Sequence, residues 1–490
     1  MLDAVGWDAE HVTARRFPSG ASVAVSAPID GLLSATEVNE WAVASASARV
    51  LGDHTPPFKP AVARIRRMIA REARPRLVAL HAAAAAHDVT CLHDPDEVSV
   101  GAGTGAQTWR LSALPRPGEV DWSGVHDVPV VLVTGTNGKT TTVRLLAAVS
   151  AAAGRLTGYS CTDSVTIAGE DLDRGDWAGP AGARLVLRDR RVEFAVLETA
   201  RGGILRRGLA ATRAVAAIVT NVADDHFGEW GITDVRALAE AKLVVGRAVL
   251  PGGRLVLNAD DATLVEMAHV SPAPKLWISR DADSAVVRRH ADAGGDACCV
   301  VDGVIVLLLG GTRIPVMPVS DIPVTMGGAA RHNVSNALGV AALAAVAGLP
   351  IDAIRAGLAG FRNSPHDNPG RLNVYRLGGA TVLVDFAHNP HGMAAMAELA
   401  AALPARRRLL VIGQAGDRDD AALRALARSA WALRPDRIVL KEMEVYLRGR
   451  SLGEASDVMA AEFLALGAAP DALVRTSSEY DAVREALAWA

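Results

Sequence analysis

The stretch PVVLVTGTNGKTTTVRLL, Pro129 to Leu146, limits what this chain can fold into more than any other segment. A short apolar run, Val130–Val133, breaks into a glycine-containing loop. Helix-forming residues follow at once, from Thr140 to Ala153, and Gly154 closes them. A strand that turns straight into a helix exposes backbone N–H groups at the helix N-terminus, where phosphate binds well. Gly135 and Gly138 would let the backbone approach the phosphates, Lys139 would reach the β- and γ-phosphates, and Thr140 would ligate Mg²⁺. The common pattern is G-x-x-x-x-G-K-[ST]. Here two residues separate the glycines, and Val133 stands where the outer glycine would be. The loop alone fits a structural turn as well as a phosphate cradle; its place between strand and helix favours phosphate.

The strand-then-helix alternation continues. VEFAVLET (Val192–Thr199), AVAAIVTNV (Ala214–Val222) and GRLVLNADD (Gly253–Asp261) read as strands, with the helix-like DVRALAEAKLVVGRAVL between the last two. Continuous apolar strands separated by helices imply an α/β fold with a parallel sheet covered on both faces. A second alternation starts from Arg371: TVLVDFAHNP, RRLLVIGQAGDR and RIVLKEMEVY read as strands, and EYDAVREALAWA as a last helix with no strand after it. At 490 residues the chain is too long for one core, and roughly 150 residues per domain gives about three. We place them at 1–125, 126–362 and 363–490. The first contains the helical stretches VNEWAVASASARV and VARIRRMIAREA but no catalytic motif, and its role is not legible.

Half of the residues are hydrophobic and only 4% aromatic, which suits helices packed on sheets. The net charge of −3 gives no nucleic-acid footprint. Cys91, Cys161, Cys298 and Cys299 show neither metal spacing nor a disulfide framework. The N-terminus has no signal-peptide pattern, and HAAAAAH (His81–His87) is too short to span a bilayer. The expectation is a soluble cytoplasmic protein with free thiols.

The remaining polar candidates gather at strand ends. Glu198 ends one strand. Asn221, Asp224, Asp225 and His226 follow another, and Asn258, Asp260 and Asp261 end a third. Ligands of open parallel sheets bind at the carboxyl ends of strands, and a carboxylate beside a phosphate loop is a natural Mg²⁺ ligand. Each residue alone could be a solvated strand end; their coincidence points to one site.

In chain order, GTNGKTTT, TNVADDHFGEWG, LVLNADD, RHNVSNALGVAA and VDFAHNP resemble the Mur ligase family, over about Val130 to Arg450. The resemblance implies an ATP-dependent amide ligase with a central ATPase domain and a Rossmann-like C-terminal domain, and the short GTNGKT loop is that family's own variant. Within the family, DRGDWAGPAGARLVLR, LETARGGILRRGLA (Leu197–Ala210) and LRGRSLGE (Leu447–Glu454) are similar to the C-terminal, Mur-like half of cyanophycin synthetases. HDPDEVSVGAGTGAQTWRLSALP (His93–Pro115) is similar to the segment leading into that half. The ATP-grasp part that extends a polyaspartate backbone in those enzymes has no room here. The Mur-like half attaches arginine to aspartate side chains.

Carried over by matching position, the resemblance implies that Gly135, Thr136, Asn137, Gly138, Lys139, Thr140 and Thr141 hold the nucleotide. It makes Thr140, Glu198 and His226 magnesium ligands, and Lys242 the lysine that is carbamylated in many Mur ligases. A carbamate would turn that cation into an oxygen ligand for a second ion; the ordinary reading is a lysine whose stem lies along an apolar helix. Asn333 and Asn336 match residues near the adenine, and Arg371 and Asp385 match residues that meet phosphates and ribose, with His388 close by. HNVSN is also a plain helix start.

The implied chemistry is attack of a carboxylate on the γ-phosphate, giving an acyl phosphate and ADP, followed by amine attack. Lys139, Glu198, His226 and Lys242 would carry it. Arginine is suggested by resemblance alone; Glu442 and Glu444 could pair with a cationic substrate or be solvated acids. Other readings are a folate-type or cell-wall ligase, and a non-catalytic ATP-binding partner of a separate cyanophycin-synthetase-like enzyme. The intact Lys139, Glu198, His226 and Lys242 argue against the last. A homo-oligomer is compatible with all three.

Overall fold

The computed structural model describes every residue except 19 and 226. Its centre is an eleven-stranded sheet. From one edge the strands run Thr312–Pro318, Val304–Leu309, Asp296–Val301, Lys275–Ser279, Val249–Asn258, Ala214–Val219, Val130–Thr134, Phe194–Glu198, Thr157–Ser160, Ser164–Ile167 and Glu170–Arg174. The seven central strands, from Asp296–Val301 to Thr157–Ser160, are parallel, as their unbroken apolar runs require. Helices cover both faces, and two buried clusters result. Val130, Leu132, Leu197 and Leu257 point to one; Val131, Val133, Ile218 and Ile278 point to the other, with the Lys139–Ala152 and Arg331–Val346 helices.

The all-parallel expectation needs one correction: two antiparallel strands flank the parallel core on each side. The cause is turn chemistry. Asp302–Gly303, Gly310–Gly311 and Ala168–Gly169 all have positive φ at both positions. Such pairs close two-residue hairpins whose twist matches the strands they join.

The helix expected over 234–250 is also shorter. It spans Val235–Leu243, continues as a 3₁₀ turn, and gives way to the Val249–Asn258 strand. The β-branched Val244, Val245 and Val249 favour that exit.

In the C-terminal part, Leu409–Ile412, Arg437–Lys441 and Leu473–Thr476 form a parallel three-stranded sheet. The Leu473–Thr476 strand went unseen in the sequence because four residues after a proline turn give little periodicity. TVLVDFAHNP supplies Ala380–Val384, which pairs in a separate hairpin with Asn373–Leu377 through Gly378–Gly379. The last helix spans Glu479–Trp489.

Near the N-terminus, the expected helices lie within Leu32–Leu51 and Phe58–Glu72, around a small cluster of Val5, Trp7, Val38 and Ile65. A three-stranded antiparallel sheet over residues 91–110 follows. Its Leu92, with Ala102, enters the core of the central sheet, and its Asp94 pairs with Arg188 at the end of the Pro180–Arg188 helix. Among the described residues, no helix is long and apolar enough to cross a membrane.

Candidate active site

The loop between the Val130–Thr134 strand and the Lys139–Ala152 helix is held open from below. Thr136 N–H donates to Asn221 O (2.9 Å), and Asn137 N–H donates to Asn221 Oδ1 (2.9 Å). Asn221 Nδ2 and Thr220 Oγ1 donate in turn to Asn137 O, at 3.0 and 2.6 Å. Gly138 has φ +83° and is the N-cap of the helix; a Cβ there would collide with Asn336 Oδ1. Glycine is needed at this position on both counts. Lys139 Nζ donates to Thr136 O (3.0 Å), across the mouth of the loop.

Beside the loop, Glu198 is almost fully buried at the end of its strand. Its Oε2 accepts from Thr140 Oγ1 (2.9 Å) and its Oε1 from Thr162 Oγ1 (2.8 Å). Lys242 lies on the Val235–Leu243 helix, 3% exposed, and its Nζ donates to Gly135 O (2.7 Å). Burial, and then the nearby Lys139 charge, push the Lys242 pKa well below the ordinary 10.5. Burial removes the water that stabilises an ammonium, and a second cation adds repulsion.

The other side of the cleft comes from the Arg331–Val346 helix and the C-terminal part. Asn333 and Asn336, one turn apart and buried, are linked through Asn336 Nδ2 to Asn333 Oδ1 (3.0 Å). Asn137 and Asn389 exchange two amide hydrogen bonds (3.1 and 3.0 Å), and Asn137 Nδ2 also meets His391 Nδ1 at 3.0 Å. Asn368 donates to Thr141 Oγ1 (3.1 Å). Arg371 lies over the Phe386 ring and reaches Asp163 at 3.6 Å. Asp385 accepts from the Leu372 and Ala387 backbone, which fixes the turn carrying Arg371. His388 Nε2 is 3.7 Å from Asp225, which Arg418 also contacts at 3.1 Å.

Most of these groups line one cavity of about 980 Å³, large enough for a nucleotide and further substrates, while Asp163, Asn368, Asn389 and Arg418 lie behind its lining. It brings together Gly135 through Thr141, Glu198, Lys242, Asn333, Asn336, Arg371, Asp385 and His388. His226 lies outside the described residues. Asp261 is committed elsewhere, capping a helix and accepting from Val222 N–H, and Asp260 pairs with Arg280. Thr162, Asn368, Asn389, His391 and Arg418 were not singled out from the sequence. Asn389 carried a signal, as an N-cap before proline in HNPHG; the others carried none.

The donor set fits Mg²⁺. Thr140 and Glu198 place a hydroxyl and a carboxylate side by side next to the phosphate loop, and this ion takes one or two protein oxygens, completing its shell with phosphate and water. Among the described residues, no three His, Cys, Asp or Glu side chains gather into a metal cage.

The Mur ligase middle domain matches residues 133–344, and the Mur ligase glutamate ligase domain matches residues 370–490. The chain belongs to the Mur ligase family. A cyanophycin synthetase from Synechocystis sp. is 41% identical over 332 residues, covering 68% of this chain and 38% of that protein. A UDP-N-acetylmuramoyl-L-alanyl-D-glutamate–2,6-diaminopimelate ligase from Geobacter sulfurreducens is 29% identical over 302 residues, covering 60% of this chain and 56% of that one. The chain thus spans well under half the length of the cyanophycin synthetases it matches. Among solved structures, E. coli FolC in complex with ADP superposes with a TM-score of 0.54 at 21% identity, covering 74% of this chain and 84% of that one. MurF from Acinetobacter baumannii gives 0.51 at 20% identity, covering 74% and 70%. These two likenesses are of fold.

Proposed function

We propose that this chain is an ATP-dependent, ADP-forming amide ligase that activates a carboxylate as an acyl phosphate and couples it to an amino-acid amine. One observation carries the reading: Lys139, Thr140, Glu198 and buried Lys242 converge on a glycine loop across from Arg371 and His388, within one cavity. Backbone N–H groups of residues 138–141, which open the helix, would hold the triphosphate, and Lys139 would swing from Thr136 O to the transferring γ-phosphate. Thr140 and Glu198 would hold Mg²⁺, which when bound would supply neutralisation of charge on the phosphates. Thr162 keeps the Glu198 carboxylate turned toward that ion. Asn333 and Asn336 face the adenine side, Arg371 and Asp385 the phosphate and ribose side, and the C-terminal part excludes water from the acyl phosphate.

For Lys242 we propose carbamylation and a second Mg²⁺, completed by His226. Only a neutral amine attacks CO₂, and burial beside Lys139 shifts the lysine toward its neutral form. The acceptor is proposed to be acidic, of the aspartate type, and the amine arginine, as the 41% identity to a cyanophycin synthetase suggests. Arg206 and Arg207 line the same cavity and are exposed, which suits a polyanionic acceptor. A separate cyanophycin-synthetase-like enzyme would supply that acceptor. The test is ADP and phosphate release with ATP, Mg²⁺ and a short aspartate peptide, across a panel of amino acids. Arginine-dependent release supports the whole reading; release with glutamate on a folate acceptor would replace it by the folate-type one.

A further inference from the structure

The two glutamates of LKEMEVY, alike in sequence, differ in the structure. Glu444 is exposed, whereas Glu442 is 7% exposed, and its Oε1 has no hydrogen-bond partner. Glu442 directly follows the Arg437–Lys441 strand, the middle strand of the C-terminal sheet, and its N–H still donates to Thr476 O (3.2 Å). Ligands of parallel sheets bind at this end of the strands.

Side chains alternate along a strand, so Glu442 continues the row Ile438–Leu440. That row faces the cluster containing Leu423, Ala427, Ala455 and Met459. Glu442 therefore stands above this core, between the starts of the Asp420–Trp431 and Glu454–Ala465 helices. Ser456, in the first turn of the second of these, has a buried hydroxyl without a partner as well.

The cations at this end of the sheet are committed elsewhere. Arg450 binds Asp420, Glu454 and the carbonyls of Gly416 and Arg418, and Arg418 reaches Asp225. Lys441 pairs with Glu479 on the opposite face. An acid buried without a partner is costly unless a cation arrives to meet it. Contacts lead from this end of the sheet toward the active cavity, whose lining includes neither Gln414 nor Glu442. Strand pairing ends with Ile412 beside Leu440, two residues before Gln414 and Glu442, and Gln414 Nε2 donates to His388 O. His388 lines the cavity.

We propose that Glu442 is the binding residue for the cationic head of the amine substrate, an amino acid whose side chain ends in a guanidinium or ammonium. The α-amine of that substrate points past His388 toward the acyl phosphate while its side chain runs back along Gln414, and a guanidinium donates two parallel N–H bonds to the carboxylate. Ser456 Oγ takes up a further N–H. The inference rests on the ligase reading and narrows it: a neutral or acidic amine substrate would leave Glu442 unmet.

The experiment compares arginine with citrulline, its neutral near-isostere, in ADP release by wild type, Glu442→Gln and Glu442→Asp, with an aspartate peptide acceptor and thermal melting of each variant. Wild type should prefer arginine by at least about 100-fold in kcat/KM, the size of two charge-assisted hydrogen bonds. Glu442→Gln should raise the arginine KM at least tenfold, leave the ATP KM within twofold, and erase the preference, with part of it restored in Glu442→Asp. An unchanged arginine-to-citrulline ratio in Glu442→Gln overturns the proposal, as does a lowered melting temperature with KM unmoved, which would make Glu442 a helix-start anion. Turnover of wild type with neutral amines alone leaves the ligase reading standing and sinks this one. If no amine is turned over, calorimetric titration of arginine and citrulline into wild type loaded with a non-hydrolysable ATP analogue decides, and equal affinity refutes the role.

Discussion

Lys242 holds its side-chain nitrogen against Gly135 O with almost no contact with water, an arrangement that a merely structural lysine avoids. Because burial keeps its pKa well below 10.5, the unfolded chain binds a proton that the folded chain lacks between the two values. Unfolding therefore becomes harder as pH rises through that window. In CO₂-depleted buffer, melting temperature should climb as pH rises toward 10.5 in wild type, and less steeply in Lys242→Met; parallel profiles would show that Lys242 is charged in the fold. Lys242→Ala should lose most turnover, with partial recovery on adding short carboxylates, because these replace the carbamate oxygens; full activity in CO₂-free buffer, with unmodified lysine by intact mass, would count against the modification. Lys139→Ala should reduce ATP turnover by a factor of about 1,000 or more with its melting temperature within a few degrees of wild type. Near-normal turnover would sink the phosphate-loop reading. Which residues share the cavity was largely legible at this scale, because glycine, lysine, threonine and strand-end acids each have a chemical reason to sit where they do. Thr162 and Asn368 were not legible, since a threonine or asparagine acquires its role from a partner distant in sequence.

The elements that carry the site are fixed by close packing of small residues. Gly357, on the Ile351–Gly360 helix, lies against the backbone of Val149 on the helix that begins at Lys139, and a Cβ there would overlap it. Gly360, on the same helix, faces open space: a Cβ there would meet nothing within 4 Å. Gly357→Val should thus lower stability by about 1–3 kcal/mol through overpacking and also raise the ATP KM, because it tilts the loop helix. Gly360→Ala should be neutral or slightly stabilising, by about 0.5 kcal/mol. Urea melts of the two variants check this; equal effects would mean that the helix contact does not position the loop. Legibility at this scale followed periodicity. The Val130–Thr134 and Phe194–Glu198 strands and the Lys139–Ala152 helix were readable to within two residues, whereas the Val249–Asn258 strand starts four residues before the expected Gly253 and ends three before the expected Asp261. The flanking hairpins were not, because strands of four to seven residues give few periods, although Asp302–Gly303 and Gly310–Gly311 did mark their turns.

Across the whole molecule, the nucleotide loop and the C-terminal part are joined by a few polar contacts. Asn137 spends its side chain on Asn389 and His391 while its backbone is held by Asn221. Burial keeps His391 below the ordinary histidine value of 6.5, so near neutral pH it is uncharged and its Nδ1 can accept from Asn137. A charged ring would lose that acceptor, so this contact weakens as pH falls through the lowered value. Among the described residues, the cleft that these contacts close holds one phosphate loop and one lysine–carboxylate set, and on the ligase reading proposed above it is one place to activate a carboxylate. Extending a polyaspartate backbone and adding an amino acid to its side chains present different carboxylates and different amines. A single closed cleft orients one such pair within attack distance, and a misplacement of about 1 Å costs roughly 100-fold in rate. Incubated with ATP, Mg²⁺, aspartate, arginine and a short aspartate primer, this chain should add arginine-sized masses to the primer and leave the primer's length unchanged. Mass spectrometry of the products reads both outcomes together. Primer growth by this chain alone would mean that one cleft accepts two carboxylate–amine pairs, and would overturn the division of labour.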